Sequence, residues 1–183
     1  MTSLSERSPS HRYYAAMHGR WRGRLATVLT DPGALAAAKM SALDRLTWRL
    51  TVATERWLGP PWLETSVDYQ SGGPTQNRVI HTTRVRQLGL PAMWGREIIT
   101  LDRDGCRFTL RGAHRFAWFP LLPRAVSGDG MVPETAGGAS YLFAVLGTTM
   151  TQTTKREGLD VLVVTQETPF SRAEVRLQRI AAR

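Results

Sequence analysis

The chain has 183 residues, of which 42% are hydrophobic and 21% are charged. These proportions are typical of a folded globular protein and exclude a chain that is disordered throughout. The net charge of +9 favours anionic partners such as carboxylates, phosphates or acidic lipids. A single cysteine, Cys106, excludes an internal disulfide and a zinc site built on several cysteines.

The first ten residues carry charges but no apolar core, so they predict a flexible tail rather than a signal peptide. The longest apolar region, 34–58, is interrupted by charged residues and does not match the run of about 20 apolar residues that crosses a membrane. We therefore expect a cytoplasmic protein with one domain over residues 11–183.

A short helix is predicted from Ser10 to Met17, with Tyr13 and Tyr14 on its apolar side. A first strand follows over about 19–30 and begins with Gly19-Arg20-Trp21. Glycine allows a close backbone approach and tryptophan fills a large volume, as the closed end of a small barrel requires.

Asp31-Pro32 is a helix start, and it opens a helical insertion over 32–58 that ends at Gly59-Pro60-Pro61. The apolar stripe of this segment consists of Ala36, Met40, Leu43, Leu46, Leu50, Ala53 and Trp57. Two interpretations follow. The helix lies on the domain with its arginines in solvent, or it is a lid that docks on an anionic membrane through Arg45, Trp48, Arg49 and Arg56.

From Trp62 onward the pattern is almost wholly β. Alternation of apolar and polar residues runs over 62–70, 77–87, 94–101 and 106–116. A weaker strand lies near 127–134, and further strands follow over 140–146, 148–156, 159–167 and 172–180. We predict a mainly β fold, an antiparallel up-and-down barrel of about ten strands with an N-terminal helix and a helical insertion between its first two strands.

These features resemble the calycin superfamily, which includes the lipocalins and the fatty-acid-binding proteins. The resemblance rests on Gly19-Arg20-Trp21, on the up-and-down strands, and on an arginine-rich closing strand, 172–179. It implies that an arginine of the closing strand lies over Trp21 at the barrel floor. Arg176 is the best match, and Arg172 and Arg179 are the alternatives. It also makes the helical insertion similar to the portal helices of fatty-acid-binding proteins.

Two departures limit what the resemblance implies. Fatty-acid-binding proteins usually hold a carboxylate with Arg-x-Tyr on the closing strand, whereas this chain has Arg176-Leu177-Gln178. The haem-binding, nitrobindin-like branch has its proximal histidine on a late strand, and no histidine follows His114 here. Neither carboxylate binding by that motif nor haem ligation is therefore carried over, and we expect no cofactor.

Strand parity directs His81 and His114 into the barrel if their apolar neighbours Val79, Phe108 and Leu110 face inward. The two imidazoles then hold the polar end of a ligand, act as a general acid or base, or bind a metal; alternatively, each is simply satisfied by a hydroxyl or a water. Without a placed carboxylate partner, two histidines do not make a metal site.

Further side chains are candidates for a cavity lining with a few polar anchors: Tyr69, Thr83, Trp94, Phe108, Leu110, Tyr141, Phe143, Gln152 and Thr154. The alternative is that these side chains fill the barrel completely. The sequence contains no nucleophile elbow and no phosphate-binding glycine loop.

Arginines occupy the opposite face of two strands: Arg78, Arg84, Arg86, Arg107, Arg111 and Arg115. They form a solvated wall or a surface for phosphates or anionic lipid, and the lack of interleaved aromatic residues argues against nucleic acid as a partner. We expect a protein that binds a small hydrophobic or amphipathic ligand inside its barrel. The alternatives are an enzyme that uses His81 or His114 as acid or base, and a peripheral protein that docks on anionic surfaces.

Overall fold

The fold is a closed antiparallel barrel. The computed structural model of the protein describes residues 8–69, 77–102, 105–117 and 119–180, and at 69, 119 and 120 it describes the backbone alone. Within these ranges ten strands close a barrel in which each strand pairs with the next along the chain and the last pairs with the first, and every neighbouring pair is antiparallel. The predicted fold class is confirmed.

The elements follow in chain order: α1 Pro9–Met17, β1 Gly19–Leu29, α2 Pro32–Ala37, α3 Ala42–Leu58, β2 Trp62–Tyr69, β3 Arg78–Gln87, β4 Leu90–Leu101, β5 Arg107–Phe116, β6 Phe119–Met131, β7 Gly138–Val145, β8 Thr148–Arg156, β9 Val161–Glu167 and β10 Ser171–Ile180. We call the end of the barrel that carries α2, α3 and the β3–β4, β5–β6, β7–β8 and β9–β10 turns the mouth end. The opposite end, which carries α1, is the floor end.

Alternating burial along the strands separates the barrel interior from its outer wall. In β10, for example, Ser171, Ala173, Val175 and Leu177 are buried while the residues between them are exposed. Period-two alternation places one set of side chains in the interior and the other in solvent, which is what the sequence pattern predicts.

Helix α1 fills the floor end. It starts earlier than predicted, because Pro9 takes the first helical turn. Ser10 is therefore a buried helical residue, with its hydroxyl oxygen 3.1 Å from the carbonyl oxygen of Gly105, rather than a cap or part of a tail. Residues 1–7 of the predicted tail lie outside the described ranges. Tyr13 and Tyr14 are buried completely or nearly so.

Trp21 seals the floor together with an arginine, but that arginine is Arg179. The indole is fully buried, its Nε1 donates to the Met17 carbonyl at 2.9 Å, and the Arg179 guanidinium carbon lies 4.3 Å from the ring centroid. Arg179 also donates to the carbonyl oxygens of Ala16 and His18 at the end of α1.

The prediction that Arg176 covers Trp21 is wrong, and Arg179, an alternative, takes that place. Register explains the difference, because Trp21 is the cross-strand partner of Arg179. Arg176 falls on the outward parity of β10, where it forms an exposed ion pair with Glu157 at 2.6 Å.

Helix α3 lies over the mouth on a different face from the predicted apolar stripe. Its buried residues are Thr47 and Trp48, whereas Leu46 and Trp57 of the stripe are 45% and 84% exposed. The Trp48 ring packs edge-on against Phe170, with centroids 5.2 Å apart. The Glu55 carboxylate accepts hydrogen bonds from the Thr27 amide and hydroxyl at 2.9 and 2.8 Å. The side of α3 that faces the barrel thus combines an aromatic contact with polar ones.

Arg179→Ala is expected to lower the free energy of unfolding by about 2 kcal/mol, because it removes a cation–π contact and two hydrogen bonds to helix-terminal carbonyls. Arg176→Ala is the matched control on the same strand and is expected to cost less than about 0.5 kcal/mol, since its ion pair is exposed. Urea unfolding of the two variants checks this, and equal losses would contradict the assignment of the floor arginine.

Candidate functional site

A buried carboxylate lies between two imidazoles inside the barrel. Glu97 of β4 has Oε2 2.6 Å from Nδ1 of His81 on β3, and Oε1 2.6 Å from Nε2 of His114 on β5. The Glu97 side chain is 10% exposed, and the His114 side chain is 12% exposed. We call these three residues the His–Glu–His cluster.

Strand register brings the cluster together. His81 is the direct cross-strand partner of Glu97, while His114 is the partner of Gly95, two residues before Glu97 on the same face. Direct and diagonal neighbours on one face of an antiparallel sheet are within reach of side chains of this length.

Two glycines make room for the cluster. A Cβ atom at Gly95 would lie 2.7 Å from Nε2 of His114, and one at Gly112 would lie 2.7 Å from the Cα of Glu97. Contacts this short do not occur between real Cβ atoms and their neighbours, so any larger residue displaces the imidazole or the carboxylate strand. The glycines are therefore part of the site.

Burial and hydrogen bonding act in opposite directions on the acidity of Glu97. Burial alone raises the pKa of this carboxyl, but the charge of His81 and the hydrogen bonds from both imidazoles outweigh it and hold the pKa well below its usual range. Glu97 is therefore ionised throughout the physiological pH range.

The far nitrogen of His81 is also engaged. Its Nε2 lies 2.5 Å from the Thr65 hydroxyl oxygen, which is 3.0 Å from the carbonyl oxygen of Thr82. A hydroxyl has one proton to donate. If Thr65 donates to the Thr82 carbonyl, His81 carries both ring protons; if Thr65 donates to Nε2, His81 is neutral.

His114 has the nitrogen that is open to a ligand. Its Nε2 is held by Glu97, and its Nδ1 has no hydrogen-bond partner among the residues that the structure describes. A carboxylate that accepts from one imidazole nitrogen fixes the tautomer and the orientation of the ring. Nδ1 of His114 is thus placed to accept a hydrogen bond.

Two cavities meet at His114. One, of about 110 Å³, extends toward α1 and is lined by all three cluster residues; the other, of about 120 Å³, extends toward α3 and is lined by Trp48 and Glu55. The two share Leu25, Met93, His114, Phe143 and Gln166. Each approaches the size of an apolar cavity of about 150 Å³ that holds a benzene molecule.

The ends of this chamber carry further polar groups. At the floor end the Tyr13 hydroxyl is 2.6 Å from that of Thr154, and the Tyr14 hydroxyl is 3.0 Å from that of Tyr141. Burial raises the pKa of all three tyrosines, so their hydroxyls stay neutral. At the mouth end burial raises the pKa of Glu55 although Thr27 donates to it.

The structure places most of the candidate lining residues on the cavity wall, namely His81, Thr83, Leu110, His114, Tyr141, Phe143, Gln152 and Thr154. Phe108 is buried deeper, with its ring edge-on to Tyr14 and Tyr141. The side chain of Tyr69 lies outside the described residues. The prediction that Trp94 lines the cavity is wrong. Trp94 lies on the outer face of β4, opposite in parity to Gly95, where its cross-strand partners are Arg84 and Arg115.

Sequence reasoning missed Glu97, the residue that joins the two histidines. The signal was the alternation Gly95, Glu97, Ile99, Leu101, all of which are buried. Ile98 on the outer face obscured it, because apolar residues at 98 and 99 fit either parity. Within the described ranges no group of three or more histidine, cysteine or acidic side chains has the geometry of a metal site.

No family model and no curated protein matches the sequence. Among solved structures, the fold is similar to the crystal structure of Rv2717c from M. tuberculosis, with a TM-score of 0.61 and 12% sequence identity. The match covers 95% of this chain and 99% of that chain, and at this identity it shows a common fold alone. No helix of the described residues is long and apolar enough to cross a membrane.

Glu97→Gln is expected to lower the free energy of unfolding by about 3 kcal/mol at neutral pH, since it removes the buried carboxylate that both imidazoles contact. The Glu97 pKa is lower in the folded protein than in the unfolded chain. The contribution of the carboxylate is therefore complete above the unfolded value, about 4.3, and is lost as the pH falls toward the folded value.

Urea unfolding from pH 7 to pH 3 measures this difference, which should shrink below about pH 5. Glu64→Gln is the control, because its ion pair with Arg22 lies on the outer wall, and it should cost less than about 1 kcal/mol. A stability gap that stays constant over this pH range would contradict the role of the Glu97 charge.

Proposed function

We propose that the protein binds a compact hydrophobic or amphipathic molecule, such as a small lipid-like compound or metabolite, in the chamber around His114. The observation that carries the proposal is an imidazole nitrogen without a partner among the described residues, at the point where two largely apolar cavities meet. Pockets of this kind combine apolar walls with a few convergent polar groups.

The cluster favours a ligand whose polar end carries a hydroxyl or an acid group. In neutral His114 the N–H on Nε2 donates to Glu97, so Nδ1 has a lone pair that accepts a hydrogen bond from an O–H group. If His114 takes up a proton, Nδ1 becomes a donor, and Glu97 stabilises the imidazolium. Alcohols suit the first state and carboxylates the second.

We also infer that the barrel is a calycin-like one. The support is the combination of Gly19-x-Trp21 at the first strand, a closing-strand arginine over that tryptophan, and helices between β1 and β2 at the mouth. Calycins hold ligands inside the barrel, which agrees with the position of the His–Glu–His cluster.

The second candidate function is an enzyme in which His114 transfers protons. The 2.6 Å contact with Glu97 favours it, because a carboxylate that orients an imidazole is the arrangement of a general base. In such a reaction Nδ1 takes a proton from the bound substrate and returns it to the product. His81 holds the other oxygen of Glu97 and keeps the carboxylate in place.

Benzyl alcohol and toluene, which differ by one hydroxymethyl oxygen, test the proposed site. In calorimetric or NMR titrations we expect benzyl alcohol to bind about tenfold more tightly than toluene, the effect of one net hydrogen bond of about 1.4 kcal/mol. His114→Phe should abolish this preference and keep an aromatic ring in place. His81→Phe also removes a partner of Glu97 but leaves Nδ1 of His114, so it should retain the preference.

The proposal would be overturned if neither probe binds and the methyl signals of Leu25, Met93 and Leu110 do not shift. Native mass spectrometry of the protein isolated from its host identifies a co-purified molecule. If the protein converts that molecule to a product, and the folded His114→Phe variant does not, the function is the enzymatic one and not ligand binding alone.

Gly95→Ala tests whether the position of His114 matters as well as its presence. The added methyl group pushes the imidazole away from the β4 backbone, so the preference for benzyl alcohol should fall several-fold while toluene still binds. Gly137→Ala is the control, because a Cβ atom there would lie 3.7 Å from the Thr135 hydroxyl, an ordinary contact, and should leave both affinities unchanged. Unchanged affinities in both variants would contradict a positioning role for Gly95.

A further inference from the structure

Exposed apolar side chains are concentrated at one end of the barrel. Of the twelve large apolar residues that are exposed among those described, eight lie at the mouth end: Val28, Leu46, Trp57, Leu58, Leu88, Leu90, Leu121 and Leu122. The other four are divided between the outer wall and the floor end: Ile98, Met131, Leu142 and Leu159. Isolated exposed apolar residues are ordinary, whereas a concentration of them marks an interaction surface.

A hydrogen bond and an ion pair tie two of the strand ends that carry these residues to α3. Gln87 donates through Nε2 to the Gly59 carbonyl at 2.6 Å. This bond holds the β3–β4 turn, which carries Leu88, against the end of α3, which carries Trp57. At the other end of α3, Asp44 pairs with Arg124 at 3.2 Å and ties the start of β6 to the helix. We call the eight exposed mouth-end residues the mouth rim.

The charge around the mouth rim is positive. The side chains of Lys39, Arg49, Arg56 and Arg86 are exposed at this end. Of the carboxylates at this end, Glu55 accepts two hydrogen bonds from Thr27 and Asp44 pairs with Arg124, while the exposed Asp31 caps α2 and the exposed Glu167 pairs with Arg172. Exposed apolar tips with arginines and lysines beside them fit a bilayer surface that carries anionic headgroups.

We propose that the mouth rim docks on membranes that contain anionic lipid. The exposed leucines and Trp57 enter the boundary between headgroups and acyl chains, and the arginines contact lipid phosphates. The barrel then stands with its mouth toward the bilayer. Trp48 and Arg45 take no part, because Trp48 is buried and Arg45 donates to the Ala38 carbonyl. The proposal is independent of what the barrel interior binds.

Cosedimentation with vesicles of phosphatidylcholine, with and without a quarter of phosphatidylglycerol, tests the docking. We expect binding to the anionic vesicles that weakens as salt is raised. The double variant Trp57→Ser, Leu121→Ser should bind about tenfold more weakly. The control Leu142→Ser, Leu159→Ser removes two exposed apolar side chains away from the mouth and should bind as the wild type does.

Charge reversal separates this surface from the general positive charge of the protein. Arg49→Glu with Arg56→Glu should remove the preference for anionic vesicles. Arg107→Glu with Arg111→Glu, on the outer wall, makes the same change in net charge and should retain most of it. Equal losses in the two charge variants would overturn the proposal.

Failure to bind anionic vesicles at low salt would also overturn it. A second contradicting result is a wild-type dimer that does not bind vesicles and that the Trp57→Ser, Leu121→Ser substitutions dissociate. The mouth rim would then be an interface between two copies of the chain. Sedimentation equilibrium of the wild type and this variant provides that measurement.

Discussion

A carboxylate inside an apolar barrel is stable only if other groups compensate its charge, and this constraint organises the interior here. Glu97 is ionised and buried, so both of its oxygens are occupied by imidazoles. Those imidazoles in turn require Gly95 beside His114 and a hydroxyl from Thr65 beside His81. Residues on four neighbouring strands are thus fixed by one charge, and the orientation of His114 toward the cavities follows from it.

The two ends of the barrel are closed by different physical means. The floor end is filled by Trp21, Tyr13 and Tyr14, which are almost entirely buried. The mouth end is covered by α3 through polar contacts such as that between Glu55 and Thr27, and it adjoins the cavity that reaches Trp48. The second cavity therefore lies directly beside α3, where Trp48 and Glu55 line it.

Much of the fold follows from the sequence, because period-two burial leaves a clear pattern in strands such as β5 and β10. Parity also directs His81 and His114 inward correctly. It fails at β4, where Ile98 and Ile99 are apolar on both faces, so neither Glu97 inside nor Trp94 outside could be assigned. The local sequence pattern does not determine the cross-strand register. For this reason the sequence favours Arg176 for the position over Trp21, which Arg179 occupies. The predicted α3 stripe is wrong because the face that meets the barrel combines Trp48, which packs on Phe170, with Glu55, whose carboxylate accepts from Thr27.

The pairing of β1 with β10 joins the two ends of the chain and has a kinetic consequence. Leu29 lies opposite Ser171 and Arg20 opposite Ile180, so each contact closes a loop of well over a hundred residues. The entropy of such a loop is lost before the contact stabilises anything, and topologies of this kind fold slowly. Because α1 precedes β1 directly, its tyrosines enter the interior as the seam forms. During synthesis the nine earlier strands must wait for β10 to leave the ribosome, and until then the inner face of the sheet and the charge of Glu97 are open to water.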